Sequence, residues 1–253
     1  MNKKTWKVTG LIIFSLALLL GLALNGVSSW IDLEGMSFWG YPEATSYDPS
    51  MPTDGELSGL TCPLVMNFSE SPTVFVKVRN PKDYEIRPIV QASVSIPGGM
   101  DEVVRYLQDL VIPPNQTVTI SWQVGSENII SNRAVFVRVF LFQGPNYPPS
   151  ITRHCGILAV NSGHLSSTMF VVFLTGIIFV GMLAGYLLWI KSLDRLERDT
   201  NKIKGALLWL IGMILFATLA NIVGWMVLAG VLLVLTVLSL IALMESAALG
   251  KLK

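Results

Sequence analysis

Apolar positions along this chain fall into two textures. In three blocks they run almost unbroken: residues 8–30, which contain LIIFSLALLLGLAL, residues 166–190, and residues 205–244. Runs of about 18 or more apolar residues read as membrane-crossing helices, because about 20 residues of helix traverse the hydrocarbon core. The third block is about twice the length one crossing needs. Asn221 and Gly224 sit near its middle, in ANIVGW, and a tight turn there divides it into helices over 205–220 and 223–244. Four transmembrane helices are expected.

Between the first two blocks the pattern changes. Residues 31–59 show no period of either kind, and YPEATSYDPSMPTDGELSG is rich in turn formers, so this stretch reads as a linker. Trp30, Trp39 and Tyr41 near its start suit a membrane interface. Over 60–160 short runs alternate with period two. Val74, Val76 and Val78 fall on one face and Phe75, Lys77 and Arg79 on the other; IVQASVSI, QTVTISWQV and AVFVRVFLF repeat the pattern. Asn80-Pro81-Lys82-Asp83, Pro97-Gly98-Gly99 and Pro113-Pro114-Asn115 punctuate it. Several short strands at such spacing predict an antiparallel sandwich or barrel. Only Met100 to Leu110 breaks the alternation, as a short helix or an irregular strand with a crossover.

A strand ending in VRNP, the strand IVQASVSI and the run VIPPNQTVTISWQV resemble extracytoplasmic immunoglobulin-like and fibronectin-like modules over residues 73–142. In those modules a Pro-Pro turn leads into a strand carrying a core tryptophan, here Trp122. The resemblance implies an Ig-like β-sandwich and nothing more specific, because many unrelated functions share that fold.

Charge bears on sidedness. Only 14% of residues are charged, against about a quarter in an ordinary soluble domain. Ten of the eighteen basic residues lie in a head (1–7), a connector (191–204) and a tail (245–253). Basic residues in short loops are retained on the cytoplasmic side, and four crossings put all three segments on one side. A multi-pass protein of the cell membrane follows, with cytoplasmic termini and residues 31–165 extracytoplasmic. That outer segment holds eight basic and thirteen acidic residues, which argues against nucleic acid as a partner. The N-terminal block also fits a secretory signal peptide, with Val27-Ser28-Ser29 as the cleavage site; the length of its apolar run favours a retained anchor.

The only two cysteines, Cys62 and Cys155, lie at the two ends of the sandwich segment. An even count in an oxidising compartment favours a disulfide. The rival is a copper site from His154, Cys155, His164 and Met169. Its spacing departs from the usual cupredoxin loop and it would leave Cys62 alone, so no metal and no cofactor are expected, and the two histidines read as surface residues. Asn67 and Asn115 open glycosylation sequons on the outer side. Gly181 and Gly185 form a small-xxx-small pair for close helix packing. Asn221, at the expected turn, and Glu245, at the inner end of the last helix, are the notable polar groups of the apolar blocks.

No nucleophile elbow, phosphate-cradling loop, HExxH or CxxC is present, so no catalytic residues are expected. The three cytoplasmic pieces are too short to bury a core. The expectation is a non-enzymatic protein whose sandwich serves protein recognition or an accessory role. Its partners would be the bilayer, other integral membrane subunits and an exoplasmic protein. The alternative is a transporter or channel component whose helices are the active part.

Overall fold

The computed structural model describes residues 3–40, 50, 55–98, 103–143, 149, 151–161, 163, 165–192 and 200–248. It divides into two units, Met1–Ser29 with Val171–Lys253, and Trp30–Phe170. Most of the 41–54 stretch, Asp101-Glu102, His164, the connector over 193–199 and the tail over 249–253 lie outside the described residues.

Among the described residues, four helices are long and apolar enough to cross a membrane: α1 (Lys3–Trp39), α2 (Ser167–Lys191), α3 (Thr200–Val223) and α4 (Met226–Ala248). In the first unit Phe14, Ala17 and Leu18 of α1 share a buried cluster with Ile178, Met182 and Tyr186 of α2 and Leu210, Ile211 and Ile214 of α3. Glycines let two backbones meet. A Cβ on Gly185 would lie 2.6 Å from the Phe14 nitrogen and 2.7 Å from the Gly10 carbonyl oxygen, and one on Gly181 would lie 2.9 Å from the Ala17 Cβ. The small-residue pair read from the sequence therefore seats α2 against the chain's own first helix.

The helix ends depart from the sequence reading: α1 and α3 begin earlier, at Lys3 and Thr200, and α4 runs on to Ala248, so part of the expected connector and tail is helical. α1 does not stop near residue 30; Ile31–Trp39, read as linker, continues it. Ile31, Gly35 and Phe38 recur at helical spacing, and the helix stops at Gly40, whose φ of 72° suits a residue without a Cβ. The α3–α4 turn falls three residues later than expected. Trp225 N–H donates to the Ala220 carbonyl and Gly224 N–H to that of Asn221, with Gly224 at φ 81°. This is the paired closure of a Schellman end, so glycine makes the turn and Asn221 stays helical.

Among its described residues the second unit holds eight strands: β1 (Glu56–Thr61), β2 (Val65–Asn67), β3 (Thr73–Arg79), β4 (Ile89–Ser95), β5 (Val103–Asp109), β6 (Thr117–Gln123), β7 (Ala134–Phe142) and β8 (Ile151–Val160). The ambiguous stretch before Leu110 is thus strand from Val103 onwards. One sheet has the order β1-β3-β6 and the other β2-β8-β7-β4-β5. The pairings are antiparallel except β2 with β8, which is parallel. That departs from the all-antiparallel expectation: after β1 the chain crosses to the other sheet and enters beside β8 in the same sense.

The two sheets enclose one buried cluster. Val74, Val76 and Val78 of β3 and Ile120 of β6 meet Val90, Ala92 and Val94 of β4 and Val135, Val137, Val139 and Leu141 of β7, with Trp122 packed at its margin. Period two holds on β3, whose Phe75, Lys77 and Arg79 are exposed. It fails on β7, where eight of nine residues are buried. The C-terminal part of α1 covers the other face of that strand: Ile31, Phe38 and Trp39 pack with Ala134, Phe136 and Leu158.

Candidate functional site

Three groups of side chains hold position in ways ordinary core packing does not require. The first lies in the helical unit. Asn25 of α1 donates from Nδ2 to Thr218 Oγ1 (3.0 Å) and to its own helix at Gly21 (2.9 Å), and its Oδ1 accepts from Asn221 Nδ2 (2.8 Å). Thr218 donates back to Ile214 O. All three residues are buried. Burying an amide without partners costs several kcal/mol in an apolar medium; the Asn25 amide is met at both its nitrogen and its oxygen and joins α1 to α3, while the buried Asn221 Oδ1 has no partner among the described residues. Asn25 was not singled out in the sequence, where it is a lone amide inside a long apolar run; that isolation was the available signal. Glu245 is exposed on α4 and lies apart from this node in the chain's last helix.

The second group anchors α1 to the sheet within the second unit. Gly156 of β8 lies so close to α1 that a Cβ there would stand 2.5 Å from both the Ile31 carbonyl oxygen and its Cγ2. Gly156 N–H donates to Asp32 Oδ1 (2.9 Å). Arg133 pairs with Glu34. At the helix end, Arg138 donates from Nη1 to the Trp39 carbonyl (2.9 Å), and its guanidinium lies 4.7 Å from the centre of the Phe140 ring. A cation at a helix C-terminus meets the negative end of the macrodipole. His154 faces Arg138 across the β7–β8 ladder. It is half-buried rather than on the surface, and burial, with the nearby Arg138 and Arg153 charges, holds its imidazole below the usual histidine range.

The third group fixes the two ends of the sheet unit. At one end Glu70 accepts from Ser167 N–H (3.0 and 3.1 Å) and from Asn67 N–H, while Asn67 Nδ2 donates to the carbonyls of Gly163 and Leu165. Ser166 caps α2 by accepting from Met169 N–H. The hydrogen bonds from Ser167 keep the Glu70 carboxyl below its usual range. At the opposite end the fully buried Asn80 donates from Nδ2 to the carbonyls of Tyr84, Ile112 and Pro113, and its Oδ1 accepts from Lys82 N–H. One amide thereby braces the β3–β4 loop against the β5–β6 loop. Tyr84 and Val111 stand exposed on those loops.

Among the residues singled out beforehand, Cys62 and Cys155 are joined in a disulfide with Cα atoms 6.5 Å apart, which commits the thiolate a copper site would need. Asn67 is buried and its amide is engaged as above, so a glycan there would displace those bonds. Asn115 sits exposed in a turn at φ 57°. Gly181 and Gly185 serve the α1–α2 contact, and Asn221 belongs to the node with Asn25.

No protein-family model matches the chain, and neither does any curated protein. Among solved structures, the CARDB domain of the PF1109 protein from Pyrococcus furiosus, in complex with di-metal ions, aligns at 8% identity over 44% of this chain and 98% of that one, with a TM-score of 0.34. Pseudomonas fluorescens alkylpurine DNA glycosylase AlkC aligns at 7% identity over 46% of this chain and 33% of its own, at 0.31. A beta-glucosidase from Listeria innocua aligns at 14% over 42% and 15%, also at 0.31. The chain thus spans a third or less of the two enzymes. At these scores the likenesses carry no argument about fold or activity.

Proposed function

We propose that the protein is a non-enzymatic, multi-pass membrane protein. Its sheet unit stands on the extracytoplasmic side, as a recognition module or an accessory subunit of a larger membrane complex. Four helices of crossing length support membrane insertion, and the basic head, connector and tail support cytoplasmic termini. The Cys62–Cys155 bond accords with an oxidising compartment for the sheet unit. Strand order supports an Ig-like reading. In immunoglobulin lettering β1, β3 and β6 take the places of A, B and E, while β8, β7 and β4 take those of G, F and C, with β5 beside C in the place of C′.

The observation that carries the functional reading is the division of labour between the ends of the sheet unit. One end is bonded to its chain connection through Asn67 and Glu70, and the other presents loops held by Asn80. A stiffly held loop pair suits recognition, since little ordering entropy is lost on binding. Retention of the first helix is part of the reading, because Asn25 bonds within the helical unit and Val27-Ser28-Ser29 lies within a continuous helix.

Purification of the tagged full chain in mild detergent is the test. Other integral membrane chains are expected to co-purify in fixed ratio, and peptides N-terminal to Val27 to be present in the mature protein. A monodisperse lone chain with no associated protein would overturn the accessory reading. The transport alternative draws on the Asn25–Thr218–Asn221 node and predicts that Asn221→Leu abolishes flux; unchanged flux ends it.

A further inference from the structure

We infer that the open edge strand β5 pairs with β5 of a second copy of this chain, antiparallel about a two-fold axis at Leu107. The inference needs only the edge of the sheet and does not rest on the accessory reading.

Among the described residues, β5 hydrogen-bonds to β4 on one side only. An unpaired edge exposes a row of N–H and C=O groups, and natural edges are commonly blunted by proline, by charged side chains (lysine above all) or by a bulge. Between Val103 and Ile112 the chain has no proline, lysine or bulge, its two charges are the opposite pair Arg105 and Asp109, and its pairing with β4 keeps one unbroken register into the Ile86–Ile112 bridge.

That register shows which groups face outwards. Leu110 N–H donates to the Pro88 carbonyl, and Ile86 and Ile112 exchange both bonds. In an antiparallel ladder the bonding direction alternates along each strand. Even-numbered residues therefore address β4, and Val103, Arg105, Leu107, Asp109 and Val111 offer their backbone groups to the open edge.

The same five residues share one face. Tyr106, Leu110 and Ile112 pack towards the core, so the odd-numbered side chains point away from it. Arg105 and Asp109 are exposed, Leu107 is 69% exposed and Val111 56%. Large apolar side chains in such positions lack the cover that the helix gives β7.

What selects a second copy as the occupant is the order of these side chains. Read outwards from Leu107 the face runs base then valine in one direction and acid then valine in the other. Antiparallel pairing about Leu107 sets Leu107 against Leu107, Arg105 against Asp109 of the other copy and Val103 against Val111. Every opposed pair is then apolar with apolar or base with acid. Directly opposed side chains are the unit of sheet stabilisation, and like charges there are destabilising. A closed two-fold contact requires a surface complementary to itself, and this strand meets that condition in both backbone and side chains. The product would be a sheet continuous across two chains.

The test uses the full chain purified in detergent, a short bis-maleimide cross-linker and single introduced cysteines. Leu107→Cys is expected to cross-link to a dimer many-fold faster than Thr119→Cys, an exposed position on the other sheet. In the Leu107→Cys background, Arg105→Asp or Asp109→Arg alone should cut the cross-linked fraction severalfold, and the two together should restore it. Restoration by the exchanged pair separates lost pairing from lost folding. Cross-linking at Leu107 no faster than at Thr119, or a double charge variant as poor as the single ones, overturns the inference.

Discussion

Gly156 shows how one residue decides what lies on the sheet. Its missing side chain leaves room for the Ile31 backbone, and its N–H reaches Asp32. Gly156→Val is expected to force the helix off β8 and to destabilise the protein by about 1–3 kcal/mol, the usual range for overpacking, read as a lower melting temperature in detergent. Nothing in RHCGIL marks this role, since the glycine's partner lies over a hundred positions away. His154 was likewise illegible: its setting depends on Arg138 across the ladder. Its folded pKa lies below the unfolded value of about 6.5. The unfolded chain therefore takes up the proton first, so stability is full above that pH and declines as pH falls through it. Glu70, also held below its unfolded value, adds a second decline at lower pH, below about 4.3. Thermal unfolding measured from pH 8 to 2 should show both, and His154→Gln should remove the first alone. Coincident wild-type and His154→Gln profiles down to pH 5 would contradict the burial argument.

Among the elements, α1 carries the largest departure from expectation. Its first part has the apolar composition of a helix able to cross a membrane, and its helical state was legible from that. Its last nine residues mix charges with aromatics, and no single-face period is evident without knowing which side meets the sheet. At about 1.5 Å per residue the 37-residue helix is about 55 Å long, well beyond the roughly 30 Å of a hydrocarbon core. The α3–α4 turn shows a local rule overriding a plausible one. Asparagine and glycine both favour turns, but only Gly224 adopts the left-handed backbone, which releases Asn221 to bond across to Asn25. Asn25→Leu and Asn221→Leu should each lower stability, with a coupling of about 0.6 and at most about 1.7 kcal/mol in a double-mutant cycle, the range found for hydrogen bonds between membrane helices. Strict additivity would mean that the pair does not link the helices.

Across the whole molecule the disulfide has the widest reach. Cys62 follows β1 in one sheet and Cys155 lies in β8 of the other, 93 residues apart, so the bond staples the two layers near the point where the chain crosses between them. The pairing was legible, because two cysteines allow one intrachain bridge. Replacing both by serine should cost about 2–5 kcal/mol, seen as a lower denaturation midpoint of the sheet unit by near-ultraviolet circular dichroism. An unchanged midpoint would show that the layers hold without the staple.

Composition and short-range period determined the broad plan: four apolar helices, a strand-rich segment between the first two, and a covalent link across it. Such features are written in neighbouring residues, because an apolar run or an alternation needs no distant partner to be recognised. Tertiary structure alone decided the parallel β2–β8 pairing, the helix over β7, the union of Asn25 with Asn221 and the exposed face of β5. Each of these arises where segments far apart in the chain meet, and burial, hydrogen bonding and register at such meetings depend on both sides at once.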